Sequence, residues 1–523
     1  MDLKEKQKKC LIYAAGMNYV IYLFMRLFFY ATYECALDEM MQAAVCGVSG
    51  TRTAYILYSN VLIGWMLKGL TSVLPFVNWY FAYLYVSVFA ALFLMSYIIM
   101  KRAYNRIGIT TAVVLICFAG YECYVLPGCM KTACMLGTAA LMVFADYRET
   151  ARRRDKRREM LVGFLAVFGS MVHFSALLIT MLAGLISIGC YYAIRHWNQI
   201  SAWIRKERGI DRKACRQMGS MLGSVLGCTL AAIVVFFIVD DFSYRFSGQE
   251  AAADYRAVVV RLYGYGMADY EESMTEEYGI DSAKYSAVRN GSFAAEGEQT
   301  WKKLKEISKH WTGISGEAFN DYFKTVPIAL FKYGIFYLLI VMLFMLFYSP
   351  VKEKKMLIWT QIGLLLVFFC AAYLFHAWQN RWMVFVLILP LVLPLVLSLR
   401  GAPETEYQYL WVYLAVLSII LYSKFSSGMV SSVSEEDMTA KFANVNAGQV
   451  NLVDLNAYFK TFSAQQAYMP DLLASQSIRV SNGAYDLMDG FDGKVVSQMP
   501  GENEAYGWLY NPRELGVENL LLQ

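Results

Sequence analysis

The stretch TRTAYILYSNVLIGWMLKGLTSVLPFVNWY, Thr51 to Tyr80, decides how the rest of the chain is threaded. It is long and apolar enough to be counted as a membrane crossing, and counting it so inverts every loop that follows. Its polar positions argue against a crossing. Thr53, Asn60, Gly64, Lys68 and Thr71 are spaced by seven, four, four and three residues, the spacing of one face of an α-helix. The stretch is therefore expected to lie as an amphipathic helix at the membrane interface.

The composition around it sets the class. The 523 residues are 58% hydrophobic and 17% charged, with 38 Tyr, 32 Phe and 27 Met; a soluble domain carries about 25% charge. Apolar runs of roughly 17 to 24 residues, the length that crosses ~30 Å of hydrocarbon, alternate with charged stretches. The chain reads as an α-helical polytopic membrane protein with about eleven transmembrane helices: 11–33, 78–100, 107–126, 130–146, 159–175, 177–194, 217–239, 327–348, 356–375, 382–399 and 408–424. The run 11–33 is too long for a signal-peptide core and lacks a small-residue cleavage site, so the first helix is expected to stay as an anchor.

Lys and Arg collect in cytoplasmic loops. With the N-terminus inside, KEKQKK, KRAYNR, YRETARRRDKRRE, RHWNQISAWIRKERGIDRKACR, VKEKK and RGAPETEY all fall on that side. These basic runs read as topology signals, and no nucleic-acid partner is expected. Residues 1–424 then form the transmembrane domain. Its first outer loop, 34–77, holds the interfacial helix, and a charged extracytoplasmic insertion, 240–326, has helical stretches such as EQTWKKLKEISKHW. Residues 425–523 read as an extracytoplasmic α/β segment, with QVNLVDLNAYF and GKVVSQM as strands beside a helical AQQAYMPDLLA. The apolar end VENLLLQ suggests an incomplete domain or a chain packed against its own body.

Eleven cysteines are scattered without any CxxC spacing and read as small core residues; Cys35 with Cys46 and Cys123 with Cys129 are placed to pair only on an oxidising side. There is no P-loop, GxSxG, HExxH or glycine-rich dinucleotide turn, so ATP-driven transport and soluble hydrolase chemistry have no support.

Three places carry candidate chemistry. ECALDEMMQ, Glu34 to Gln42, puts three acids just after the first apolar run. Such carboxylates bind a divalent metal or take a proton from an acceptor hydroxyl, unless they simply end a helix in water. Neighbours on a helix point about 100° apart, so only one of Asp38 and Glu39 reaches a given atom. Arg26 lies well inside the first apolar run, where a cation needs a cavity or a partner such as Glu122. FHAWQNRW holds His376, Gln379, Asn380 and Arg381 in a short outer loop, with Arg suited to bidentate phosphate binding or, as the plainer alternative, snorkelling among belt tryptophans. Arg52 joins Arg26, Arg381, His376 and Asn380 as a substrate- or phosphate-binding candidate. His173 reads as a core histidine, and His310 is assigned nothing.

An acidic pair after the first membrane helix, followed by an interfacial helix in a long outer loop, resembles the GT-C membrane glycosyltransferases, the superfamily of the protein O-mannosyltransferases. ALDEMMQ, VNWYFAYLY and ADYRAVVVRLYGYGMADYEESMTEEYGI are similar to a group of bacterial multi-spanning proteins regarded as glycosyltransferases. The resemblance covers roughly residues 1–400. It implies a bacterial cell-membrane enzyme that moves a sugar from a polyprenyl-phosphate donor to an envelope acceptor (glycan, lipid or protein) on the outer face, with inversion at the anomeric carbon. Asp38 would be the general base, Glu39 would position the acceptor or a divalent metal if one is used, and Arg381 would hold the leaving lipid phosphate. Arg26 has no counterpart in the superfamily pattern. A surface-polysaccharide polymerase and a transporter or flippase of lipid-linked sugars stay open beside it.

Overall fold

The computed structural model describes residues 3–29, 31–33, 36–46, 52–56, 58–150, 155–197, 212–247, 270–279, 333–348, 353–374, 381–398, 450–454, 478–481 and 506–508, with scattered positions between 320 and 331. Polar residues that interrupt the apolar runs become helix caps. Asn78 accepts from the Phe81 N–H at 3.0 Å, Asn105 from Gly108 at 3.1 Å and Asp155 from Arg157 at 3.1 Å, so each satisfies an otherwise orphaned donor. The described helices are α1 (Leu3–Phe28), α2 (Ala36–Cys46), α3 (Val61–Val73), α4 (Trp79–Arg102), α5 (Arg106–Tyr124), α6 (Cys129–Thr150), α7 (Lys156–Val172) and α8 (Phe174–Arg195). They continue with α9 (Arg212–Phe246), the short α10 (Ser273–Tyr278), α11 (Gly334–Phe347), α12 (Lys354–Leu374), α13 (Arg381–Ile388) and α14 (Val392–Ser398). Pro390 places a 3-10 turn, Leu389–Leu391, between α13 and α14, because proline cannot supply the interior N–H.

Seven described helices are long and apolar enough to cross a membrane: Glu5–Phe28, Trp79–Arg102, Arg106–Tyr124, Cys129–Tyr147, Phe174–Arg195, Lys354–Tyr373 and Arg381–Ser398. The chain is a polytopic α-helical membrane protein. The expected spans 159–175, 217–239 and 327–348 fall on α7, α9 and α11, outside this set of seven, and 408–424 lies outside the described residues. Of the Cys129–Tyr147 span, 94% is buried against 17% of Glu5–Phe28, so α6 is the central post and α1 a peripheral one. The reason is the run of small residues along α6, Ala133, Gly137, Ala139 and Ala140, which lets α4, α7 and α8 approach closely.

Two boundaries differ from the sequence reading, each for a physical reason. The first helix spans Leu3–Phe28 rather than 11–33: Lys9 pairs with Glu5 one turn earlier at 2.8 Å, so the basic leader is helical, and the chain past Phe29 turns until the Thr32 N–H meets the Val125 carbonyl at 3.0 Å. Arg26 thereby sits in the last turn of α1, not deep within it. α9 continues past 239 to Phe246 because Asp241 pairs with Arg245 at 3.0 Å and Asp240 faces another helix instead of ending its own. In α3 the polar stripe turns toward the protein. Asn60, Gly64 and Thr71 are buried while Trp65, Met66, Val73, Leu74 and Phe76 are exposed, and a Cβ on Gly64 would stand 1.8 Å from the Ala54 carbonyl oxygen.

Hydrogen bonds sort the helix ends into two polar layers. At one end Asp146 and Glu149 of α6 gather Lys101 and Arg102 of α4, Arg158 of α7 and Arg195 of α8, and Arg102 reaches the Leu397 carbonyl of α14. This is the end that the charge bias assigns to the cytoplasm. At the other end lie the C-terminus of α5 and the N-termini of α4, α6, α8, α11 and α13. In the C-terminal segment, β1 (Val450–Asp454), β2 (Ile478–Ser481) and β3 (Tyr506–Trp508) pair in parallel in the order β2-β1-β3. The stretches 455–477 and 482–505 between them are long enough for the crossovers of about a dozen residues that parallel pairing needs. The expected strand GKVVSQM lies outside the described residues.

Candidate active site

The turn from α5 to α6, residues 125–128, is flanked by Glu122 and Cys129, the partners of two of the sequence candidates, Arg381 and Asp38. Asp38, in the first turn of α2, is 1% exposed. Its Oδ1 accepts from the Tyr80 hydroxyl at 2.7 Å and from the Cys129 N–H at 2.8 Å. A carboxylate there meets the positive end of α6, so Asp38 caps that helix from another element. Beside it the Tyr33 hydroxyl donates to Gln42 Oε1, which also accepts from Asn78 Nδ2 at 2.8 Å. Burial, with the Asp38 carboxylate next in effect, holds the Tyr33 phenol well above its ordinary range, so it stays a donor.

Across the same turn, Glu122 at the end of α5 is fully buried. Its carboxylate takes both arms of Arg381, Nε to Oε2 and Nη2 to Oε1, each at 3.0 Å. Oε1 also accepts from the Gly334 N–H at 2.9 Å, which caps α11, and a Cβ on residue 334 would stand 3.1 Å from that oxygen. Lys131 Nζ lies 3.4 Å from Oε2 and donates to the carbonyls of Glu122 at 2.9 Å and Leu126 at 2.8 Å. One carboxylate thus faces two cations. Arg381, its side chain 22% exposed and its guanidinium 5.7 Å over the Tyr333 ring, is the member that reaches outward.

A third acid repeats the pattern. Asp240 of α9 accepts from the Val61 N–H of α3 at 2.7 Å, while Asn60 donates to the Phe236 carbonyl at 2.9 Å. Between them lies a cleft of about 20 Å³ lined by Tyr58, Asn60, Ser170, Phe174, Phe237 and Asp240, room for a water molecule. Ser59 ties this region to Asp38, because its hydroxyl donates to the Val172 carbonyl at 2.7 Å and touches the Met41 sulfur that also meets Tyr80.

Asp38 and Arg381 therefore belong to one end and one turn. The other candidates are placed differently. The expected Arg26–Glu122 pair is not made: Glu122 is spent on Arg381 and Lys131, and the Arg26 guanidinium lies 5.5 and 5.7 Å over the rings of Phe81 and Tyr85. Arg52 reaches the carbonyls of Cys46 and Thr71, both at 3.4 Å, and joins the C-terminal ends of α2 and α3, where a cation is favoured. That puts it eight residues along α2 from Asp38, roughly 12 Å. Glu39 is on α2 with its side chain outside the described residues, as are Glu34, Cys35, His376, Gln379 and Asn380 altogether. Cys46, Cys123 and Cys129 are buried, and Cys123 and Cys129 are not joined in a disulfide.

Sequence reasoning missed Lys131 and Tyr80 and had Glu122 with the wrong partner. A lone Lys in the run CMKTACMLG, nine residues after a Glu in another apolar run, was the available signal. His173 is buried as expected and also caps α8, its Nδ1 accepting from the Ala176 N–H at 3.1 Å. Among the described residues no group of three or more His, Cys, Asp and Glu is arranged to hold a metal ion. Compared with protein-family models, curated proteins and solved structures, the chain matches none.

Proposed function

We propose that the chain is a GT-C-like membrane glycosyltransferase, an eleven-crossing body that moves a sugar from a polyprenyl-phosphate donor to an envelope acceptor on the outer face of a bacterial cell membrane. The observation that carries this reading is that Asp38 and Arg381 hold the two residues that flank the α5–α6 turn, Cys129 and Glu122, at the end opposite the basic layer. A transporter of lipid-linked sugars needs ionisable groups near the midplane; among the described residues the buried charged clusters sit at the helix ends. In the proposed reaction Asp38 takes the acceptor's proton through the carboxylate that Tyr80 and Cys129 orient. Arg381, held rigid by Glu122, faces the phosphate as negative charge develops on the leaving group.

A polymerase that joins lipid-linked sugar units is the second reading. Asp38 is 1% exposed with Oδ1 accepting two hydrogen bonds, whereas Arg381 is partly open, which favours chemistry centred on the cation. The two variants of Asp38 separate its roles. Asp38→Asn keeps an oxygen for Tyr80 and Cys129, so it is expected to fold and express normally while losing sugar transfer from a polyprenyl-phosphate sugar in membranes. Asp38→Ala leaves two buried donors without an acceptor and is expected to lose about 2 kcal/mol or more of stability as well. Full transfer by Asp38→Asn removes the base assignment and leaves the polymerase reading.

A further inference from the structure

The small cleft beside Asp240 is built from four elements. Tyr58 and Asn60 come from the chain that enters α3, Ser170 from the last turn of α7, Phe174 from the start of α8, and Phe237 and Asp240 from α9. Its four polar walls, Tyr58, Asn60, Ser170 and Asp240, are no more than 8% exposed. Phe174 and Phe237 meet edge to face on the apolar side, ring centroids 4.6 Å apart.

Backbone hydrogen bonds fix these walls. Asn60 Oδ1 accepts from the Leu62 N–H at 3.0 Å, its amide donates to the Phe236 carbonyl at 2.9 Å, and its own N–H donates to the Met171 carbonyl at 2.7 Å. Asp240 Oδ1 holds the Val61 N–H at 2.7 Å. Closing the cleft would therefore strain bonds that join the start of α3 to both α7 and α9.

Size and chemistry together define the occupant. The cleft's 20 Å³ or so exceeds the ~10–15 Å³ that one water needs, and cavities that stay dry are apolar. Ser170 already gives its proton to the Val167 carbonyl at 2.6 Å, so its oxygen is left as an acceptor. The Asp240 carboxylate is acceptor-only and has lone pairs beyond the one that Val61 uses. Two buried acceptors on one cleft require a donor. An oxyanion has no proton to give and would face the carboxylate with like charge.

We propose that this cleft binds one uncharged hydroxyl group, which donates to Asp240 and Ser170: a resident water, or a sugar hydroxyl that takes its place. Water has protons for both acceptors, whereas a sugar hydroxyl supplies one. The site lies apart from Asp38 and stands whether or not the protein is a transferase.

Crystals of the full-length protein, grown with and without methyl glucoside, test the assignment. The expected result is density for a single oxygen within hydrogen-bond distance of Asp240 and Ser170. Density continuous with the sugar ring in the methyl glucoside crystals supports a sugar hydroxyl, and a discrete peak in both crystals supports water. No density in the cleft overturns the proposal. Thermal unfolding in detergent, in sodium chloride and in choline chloride at equal ionic strength, separates a hydroxyl from a small cation. The midpoint is expected to be the same in both salts. A midpoint raised by sodium in the intact protein but not in Asp240→Asn places a cation in the cleft and overturns the uncharged ligand.

Discussion

At the scale of single residues, the chemistry of this protein depends on acids that serve helices other than their own. Glu122 illustrates the consequence. It neutralises one of the two cations it touches, caps α11 and fixes the Arg381 fork, all from a site 1% exposed. Removing the carboxylate takes an ion-pair partner from Lys131 and Arg381 together, and breaking a buried pair this way costs about 3–5 kcal/mol. Glu122→Ala is therefore expected to lower the unfolding midpoint sharply, and the double variant Glu122→Ala, Lys131→Met to recover part of the loss. Thermal unfolding in detergent measures both, and additive losses would contradict the shared cluster. The sequence pointed to Arg381 because an outward Arg among aromatics runs against the charge bias. It left Glu122 with Arg26, because both lie in apolar runs and nothing in one dimension reveals that α1 ends at Phe28, which leaves Arg26 in its last turn over Phe81 and Tyr85.

At the scale of elements, α3 was the segment on which the topology turned. Its rejection as a crossing was readable from the polar stripe and from the charge bias of the loops that follow, and the 13 residues of α3 rise only about 20 Å. Which face it turns inward was not. A stripe of Asn60, Gly64 and Thr71 looks water-facing on a hydropathy scale, yet those residues are small or cap-forming and let the backbone at Ala54 pack on the helix. The exposed side is instead Trp65, Met66 and Val73, an apolar face suited to lipid. Gly64→Ala follows as a sharp test. With backbone 1.8 Å from the new methyl, the loop must move, and overpacking of this sort costs about 1–3 kcal/mol. A fall in unfolding midpoint is expected for Gly64→Ala but not for Gly69→Ala, where nothing stands within 4 Å. Equal behaviour of the two would mean that α3 does not lie against residue 54. Helices 78–100, 107–126 and 130–146 were legible to within a few residues, because Asn78 and Asn105 mark starts and the apolar runs are unbroken.

For the whole molecule, the two polar layers give the bundle a polarity: a basic layer held by Asp146 and Glu149, and an opposite layer in which Asp38, Glu122 and Asp240 cap helices α6, α11 and α3. Charge bias foretold that the basic ends of α4, α6, α7 and α8 lie in one layer. The cross-helix capping was not legible, because it joins residues far apart in the chain: 91 positions separate Asp38 from Cys129 and 212 separate Glu122 from Gly334. We propose that the layer holding Asp38 and Arg381 transfers lipid-linked sugar to the cell envelope. Mass spectrometry of surface glycans from cells with the intact protein, without it, and with Arg381→Ala tests this most directly. The account predicts one glycan species lost both without the protein and with Arg381→Ala, the variant still present in the membrane. Identical spectra from all three cells would contradict it.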